Sequence, residues 1–276
     1  MKKLKYTLKT DTLFKLLFTK YPHLLKRLVA HLLRIPFSNI THFVIKNTEM
    51  PPEIVGNKFC HLDIHMAVNG QQVSLEVQVE DEGNFAIRAE YMWARLFSNA
   101  LPSGSDYINL PRTIVISILD FTLFEESDDF YSEFQTLEVK RHTPLSDKKS
   151  LHFFELTKLP TTIDKNDLLV LWLALFKANT EEELKKIAEM GVPELSEAVT
   201  AYHNVAASPE FQELERMRDK ARHDEASALR NARRKAEKKK AIKMAKLMLA
   251  DGEPIAKIIR YTGLSQKEVE NLQNAK

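Results

Sequence analysis

The sequence predicts an α/β fold whose core runs helix, three strands, helix, strand, with an extended sheet and an all-helical C-terminal region. Two observations predict this fold. Apolar residues alternate between helical and strand periods in the first 120 residues, and every periodic segment after residue 167 is helical. With 276 residues, of which 44% are hydrophobic, the chain is long enough and apolar enough to bury a sizeable core.

The first element is a helix. Apolar residues recur at three- and four-residue spacing between Thr12 and Leu33, which predicts one amphipathic helix. Thr10 or Asp11 would cap its start, and Pro36 would end it.

Strands follow the first helix. Residues 40–53 form one predicted strand, and two more flank Asn69-Gly70, a dipeptide that strongly favours a hairpin turn. A second helix is predicted in residues 85–101. The apolar strand in residues 112–121 is of the kind that is buried on both faces of a sheet. Two further strands extend the sheet, in residues 133–141 and 151–159.

The cysteine count and the lengths of the apolar runs argue against a disulfide-rich, an exported or a membrane-spanning protein. The single cysteine, Cys60, cannot form an internal disulfide, which favours a reducing compartment. The lysine-rich start lacks the apolar stretch of a signal peptide. The longest apolar run, residues 168–176, is far shorter than the roughly 20 residues that span a bilayer. We therefore expect a cytoplasmic protein without a membrane partner.

Charge is distributed unevenly, although the net charge is only +2. Residues 1–34 and 230–276 each carry a net +8, which leaves −14 for the middle of the chain. Basic ends favour a polyanionic partner, and an acidic body favours divalent cations. We expect a domain of residues 1–211, a basic helical linker of residues 212–249 and a small helical appendage of residues 250–276.

The predicted hairpin carries the residues of chemical interest. If Asn69 and Gly70 are the central turn residues, the numbers of each cross-strand pair sum to 139, and Asp63 lies opposite Glu76. Side chains alternate across a sheet, so one face is polar and the other apolar. The polar face comprises His61, Asp63, His65, Ser74, Glu76, Gln78 and Glu80. The apolar face comprises Leu62, Ile64, Met66, Val73, Leu75, Val77 and Val79.

The two opposed acids need a compensating charge. Carboxylates directly opposite on a sheet repel each other, and no lysine or arginine lies between Lys58 and Arg88. Mg²⁺ would compensate them, because it needs only one or two protein carboxylates and completes its coordination with water and phosphate oxygens. The alternative is a solvent-facing half of the hairpin, where acidic residues are common.

Two neighbouring residue types raise other possibilities. His61 and His65 flank Asp63, as in an iron site with two histidines and one carboxylate. The two histidines would lie about 13 Å apart along an extended strand, so they cannot reach one ion. Cys60 falls on the apolar face by parity, which favours a small buried side chain over a nucleophile.

The segment HLDIHMAVNGQQVSLEVQ, residues 61–78, resembles the metal-binding hairpin of the PD-(D/E)XK nuclease superfamily, and in particular its recombination-promoting nucleases and transposase-related proteins. Further similar landmarks are TDTLFKLLF from Thr10, the helix residues Arg88, Tyr91 and Arg95, GSDYINLPRTIVISIL from Gly104, HFFELTKL from His152, and MLADGEPIAKIIRYTGLSQKEVENL from Met248. The resemblance implies a PD-(D/E)XK nuclease-like core, with the order of elements given above, within residues 1–211.

The resemblance also implies a role for each residue of the site. Asp63 and Glu76 would be the acidic metal ligands, and they would form the catalytic set together with Gln78. Gln78 stands where the superfamily usually has lysine, but glutamine is expected in this family, and it would position the attacking water. Asp11 would be a further acid facing the metal, or only a helix cap. Arg88 would supply the positive charge that Gln78 lacks, or would be a basic surface residue that contacts nucleic acid.

The C-terminal region offers a second basic surface. Residues 230–246 hold nine basic residues and one acid, which fits phosphate contacts along DNA or, alternatively, a solvated linker helix. The candidate DNA-binding residues in it are Arg233, Arg234, Lys238, Lys239 and Lys240. After Gly252, two short helices flank Thr262-Gly263 in a helix-turn-helix-like or dimerisation unit. The scarcity of basic residues in the second helix favours assembly.

Residues and resemblance together predict a Mg²⁺- or Mn²⁺-dependent DNA endonuclease that forms a homodimer or a higher homo-oligomer. One alternative is a catalytically inactive transposase relative that binds DNA or regulates a nuclease. Another is an RNA-cutting toxin with the same hydrolytic chemistry.

Overall fold

A computed structural model describes residues 2–46, 49–50, 60–61, 63–101 and 104–274. The chain divides into two compact units, Met1–Gln212 and Glu213–Lys276. The first unit is a mixed α/β structure with a six-stranded sheet, and the described part of the second unit is helical. In the described ranges, no helix combines the length and the apolar character needed to cross a membrane.

The N-terminal segment forms two helices, α1 (Asp11–Lys20) and α2 (Pro22–Leu32), so the prediction of a single helix was wrong. Pro22 lacks an N–H, and its ring would clash inside a continuous helix, whereas it suits the first position of a new one. Thr10 occupies the N-cap position of α1 without a side-chain cap bond, and Asp11 is the first helical residue. Asp11 is therefore not the helix cap.

Strands are described at eight places. They are β1 (Phe43–Lys46), β2 (Glu49–Met50), β3 (Cys60–His61), β4 (Ile64–Val68), β5 (Gln71–Gln78), β6 (Thr113–Leu119), β7 (Tyr131–Phe134) and β8 (Lys149–Glu155). Six form one sheet in the order β1-β4-β5-β6-β8-β7, in which β6 runs parallel to both β5 and β8. β2 and β3 pair separately. Two predicted single strands, residues 40–53 and the one leading into the hairpin turn, are therefore each divided between two sheets.

The hairpin register was predicted correctly over β4 and β5. From the pair Ile64–Leu75 to the pair Val68–Gln71, all residue numbers sum to 139. The apolar residues of these two strands pack into the main core, as expected. Val79 differs, because it lies beyond the end of β5 and is 48% exposed.

The turn between β4 and β5 is held from outside the hairpin. Asn69 and Gly70 have φ values of 50° and 82°, the positive values that a two-residue type I′ turn requires. The Asn69 Oδ1 accepts hydrogen bonds from the backbone N–H groups of Thr41 and His42, both at 3.0 Å. Its Nδ2 donates to the carbonyl oxygen of Asn39 at 2.7 Å. These bonds attach the turn to the chain that enters β1, so they help to fix the register.

Helices cover both faces of the six-stranded sheet. One face carries α1 and α2 together with α4 (Leu168–Lys177), α5 (Glu181–Ala188) and α6 (Pro193–Ala206). The other face carries α3 (Phe85–Ser98), which packs on β6 and β8. Because side chains alternate along β5, Ser74 and Glu76 point to the α3 side.

The second unit contains most of α7 (Pro209–Ala250), followed by α8 (Ile255–Thr262) and α9 (Gln266–Asn274). The C-terminal turns of α7 pack with the two short helices around a small core of Ala245, Ile258, Leu264 and Val269. Gly263, with φ of 69°, ends α8 in the left-handed conformation typical of this position.

Candidate active site

The hairpin brings Asp63 and Glu76 into contact. The ladder ends at Ile64, and Asp63 lies in a bend just before β4, so the two acids are not the regular ladder pair that was predicted. The backbone N–H of Asp63 donates to Oε1 of Glu76 at 3.4 Å. In return, Oδ2 of Asp63 accepts from the backbone N–H of Val77 at 2.8 Å. The acids therefore lie side by side, because the backbone next to each acid donates a hydrogen bond to the carboxylate of the other.

Glu76 is the more deeply buried acid. It is 2% exposed, and its Oε1 also accepts a hydrogen bond from the hydroxyl of Ser74 at 2.5 Å. Burial, followed by the negative charge of Asp63, raises the pKa of Glu76 to about 8. Without a bound metal ion, burial therefore favours the protonated form of this carboxyl group.

Asp63 lies between Glu76 and a lysine on α1. Burial raises the pKa of Asp63, although the Val77 N–H and the Lys15 charge oppose that rise. The Lys15 Nζ is 2.7 Å from Oδ1 of Asp11 and 3.5 Å from Oδ1 of Asp63. Burial alone would lower the pKa of Lys15, but the two aspartates raise it. Two aspartates thus share one ammonium group at this end of the hairpin.

Lys15 is a residue that the sequence analysis missed. Its one local signal is its position four residues after Asp11, which places both side chains on the same side of α1. Its proximity to Asp63 depends on how α1 packs against the sheet.

Gln78 ends β5 beside a second cationic group. Its Oε1 accepts a hydrogen bond from Nη2 of Arg88 on α3, and the Arg88 guanidinium lies over the Phe85 ring, 4.9 Å from its centroid. The backbone carbonyl of Gln78 accepts from the N–H of Asp120 at 2.9 Å. The carboxylate of Asp120 in turn binds the buried ammonium of Lys9 at 2.7 Å. Lys9 is another basic residue of this region that the sequence analysis missed.

The donor set fits a hard divalent cation. Asp63 and Glu76 supply carboxylate oxygens, and a cation would stabilise their ionised forms, which burial in this site disfavours. β6 places Ser117 beside Glu76 in register, and its buried hydroxyl has no hydrogen-bond partner among the described residues. Within the same described ranges, no three His, Cys, Asp or Glu side chains form a metal cluster. Two carboxylates suffice for Mg²⁺ only if water or substrate supplies the other ligands.

The other predicted residues lie outside this contact network. His65 pairs with Gln72, with 2.8 Å between Nε2 and Oε1. The side chains of His61 and Cys60 lie outside the described part of the structure. The basic candidates on α7 are exposed in the second unit, where Arg233 pairs with Glu237 and Lys238 with Glu268. They are Arg233, Arg234, Lys238, Lys239 and Lys240.

Comparison with known proteins identifies the family. The model of a family described as PD-(D/E)XK nuclease family transposase matches residues 8–232, a range that includes the whole hairpin and α3. No curated protein and no solved structure matches the chain. The mixed sheet with helices on both faces is consistent with a PD-(D/E)XK fold. This chain therefore belongs to the PD-(D/E)XK nuclease family transposases.

Proposed function

We propose that the protein is a Mg²⁺- or Mn²⁺-dependent endonuclease that hydrolyses phosphodiester bonds in DNA at the Asp63–Glu76 site. The observation that carries the proposal is the pair of backbone hydrogen bonds that hold the Asp63 and Glu76 carboxylates at one place, where the pKa values of both acids are raised. Such a pair is costly in a purely structural role, and perturbed acids gathered at one site favour function. Membership of a nuclease family supports the same class of reaction.

Each residue of the site has a distinct role in this proposal. Asp63 and Glu76 hold the cation through their carboxylate oxygens, and Glu76 must lose its proton to do so. A bound divalent cation supplies Lewis acidity and lowers the pKa of a coordinated water. Gln78 orients the attacking water or an anionic phosphate oxygen. Lys15 offsets part of the negative charge while the site is empty of substrate.

Asp11 is linked to Asp63 through Lys15, which forms a salt bridge with each of them. Its carboxylate binds Lys15, and its charge acts on Asp63. We propose that Asp11 positions the Lys15 ammonium rather than serving as a principal metal ligand. Substitution of Asp11 by asparagine should then weaken cleavage less than the same substitution of Asp63.

The decisive experiment is cleavage of supercoiled plasmid in the presence of Mg²⁺. Wild-type protein should nick or linearise the plasmid, and chelation by EDTA should stop the reaction. The Asp63→Asn variant should lose activity, whereas Asp128→Asn, a matched change at an exposed aspartate, should not. Equal cleavage by wild type and Asp63→Asn would assign the activity to a contaminant or to another site.

Metal binding and substrate choice need separate measurements. Calorimetric titration with Mn²⁺ should reveal a site in the wild type that Glu76→Gln weakens. Competition between DNA and RNA oligonucleotides of the same sequence tests the preference for DNA. A protein that binds DNA but neither cleaves it nor binds Mn²⁺ would support the non-catalytic alternative.

The remaining expectations concern DNA contacts outside the site, assembly, location and domain organisation. The exposed basic residues of α7 suit contacts with DNA phosphates that do not depend on sequence. A homodimer or higher homo-oligomer and a cytoplasmic location stay predictions from the sequence, and so does the division into a domain, a linker and an appendage.

A further inference from the structure

The amide of Gln78 has a defined orientation because of its partner. An arginine side chain carries only hydrogen-bond donors, so the atom of Gln78 that meets Arg88 must be the carbonyl oxygen. The amide –NH₂ group is then directed away from Arg88. Without Arg88, the two ends of the amide would be nearly equivalent in size, and either could face the site.

The arginine is itself held in place. It lies on the first turn of α3, its guanidinium covers the ring of Phe85, and Phe85 is 2% exposed in the core beneath α3. A guanidinium fixed over an aromatic face has few other orientations. Arg88 therefore acts as a rigid donor at the end of β5, directly beside the side chain that follows Glu76 on the same face.

We infer that Arg88 is a positioning residue that fixes the Gln78 amide so that its N–H groups, and not its carbonyl oxygen, face the reacting phosphate. The charge of Arg88 also polarises the amide, which makes those N–H groups stronger donors. Gln78 then donates hydrogen bonds to anionic oxygen, and its carbonyl oxygen does not accept a hydrogen bond from the attacking water. This inference rests on the proposed function for its catalytic consequence, but the amide orientation can be tested without it.

A positioning role for Arg88 can be distinguished from a direct contact between Arg88 and a DNA phosphate. If Arg88 acts through Gln78, its removal should matter only while residue 78 is an amide. If Arg88 binds a phosphate, its removal should weaken DNA binding whatever residue stands at position 78. A double-mutant cycle separates the two roles.

The kinetic test uses Arg88→Met, Gln78→Lys and the double variant. Arg88→Met should lower kcat about tenfold in the wild-type background, the size of one charge-assisted hydrogen bond, with little change in KM. In the Gln78→Lys background, where residue 78 is a donor in any orientation, the same change should cost less than about twofold. Arg88→Lys should retain more kcat than Arg88→Met, because it keeps a charged donor.

A matched control uses another cation held against α3. Lys149 lies over the Trp93 ring at 5.1 Å and pairs with Glu90, so Lys149→Met removes a comparable contact away from Gln78. This control should change kcat less than about twofold. Equal losses from Arg88→Met in both backgrounds, together with weaker DNA binding, would overturn the inference.

The structural test needs neither metal nor substrate. In the metal-free protein, NMR of glutamine-labelled chains should show that the Gln78 carbonyl carbon is deshielded by its hydrogen bond. The signal is identified by its absence from Gln78→Lys. Arg88→Met should shift it upfield, and Lys149→Met should not. An unchanged Gln78 signal in Arg88→Met would overturn the inference even if the wild type cleaves DNA, whereas a wild type that fails to cleave would count only against the proposed function.

Discussion

Replacement of Glu76 by glutamine should stabilise the metal-free protein at alkaline pH. Oε1 of Glu76 accepts both hydrogen bonds, from Asp63 and from Ser74, and a glutamine oxygen can accept them equally well. The substitution therefore changes the charge of the side chain with little change in its contacts. It isolates the cost of ionising one carboxyl group in this site.

The pH window follows from the raised pKa. Glu76 has an ordinary pKa of 4.5 when unfolded and a pKa of about 8 when folded, so the folded state binds the proton more tightly. Its contribution to stability is complete below pH 4.5 and is lost as the pH rises through 8. The full shift corresponds to about 5 kcal/mol, and entry of water beside the ionised group reduces this, so we expect a gain of roughly 2 to 5 kcal/mol at pH 9.

The assay is urea unfolding in EDTA between pH 5 and pH 9. Both tryptophans, Trp93 and Trp172, belong to the first unit, so their fluorescence reports on the unit that contains the site. Wild type and Glu76→Gln should be similar at pH 5, should diverge steadily as the pH rises towards 8, and should keep a constant difference above it. Glu90→Gln, a change at an exposed glutamate on α3, should show no such divergence. Parallel stability curves for wild type and Glu76→Gln would refute the reasoning.

Three other predictions concern the same charges. Mn²⁺ binding at pH 7 should release about one proton per ion, because Glu76 must ionise, and this number should fall above pH 8. Calorimetry in buffers of different ionisation enthalpy measures it, and zero release at pH 7 would contradict the buried acid. Lys15→Met should raise the pKa of both Asp63 and Glu76 and move the onset of Mn²⁺ binding to higher pH, whereas Lys20→Met, at the Lys20–Glu210 pair, should not. An equal shift in both variants would refute a specific role for Lys15. Changing Lys239 and Lys240 to glutamine should reduce the salt slope of DNA binding by about 2, and an unchanged slope would exclude phosphate contacts at these positions.

The sequence predicted the hairpin well because the signals were local. Asn69-Gly70 specifies a two-residue turn, and the turn together with alternation sets the pairing of β4 and β5. The proximity of Asp63 and Glu76 follows from that register. The bend at Asp63 was not predicted. Polar and apolar residues go on alternating there, although the chain passes from the β2–β3 pair to the six-stranded sheet.

The residues that the sequence could not predict make contacts between distant elements. Lys15 reaches Asp63 from α1, and Lys9 reaches Asp120 from the segment before α1. Both contacts depend on tertiary packing, which the residue pattern of the chain does not show. The division between α1 and α2 is different, since Pro22 was visible as a helix breaker. The helical spacing of leucines continues on both sides of Pro22, and for this reason a single helix was predicted.

The attachment of Asn69 to the chain before β1 has a consequence for how this site could be lost. One extra residue inserted into the turn would shift the pairing by a single position and rotate every side chain of one strand to the opposite face. Asp63 would then be separated from Glu76 with no acid replaced. A homologue with a longer turn would therefore be inactive although it retained every acidic residue. The length of the β4–β5 turn would then identify inactive homologues better than the residues of the motif.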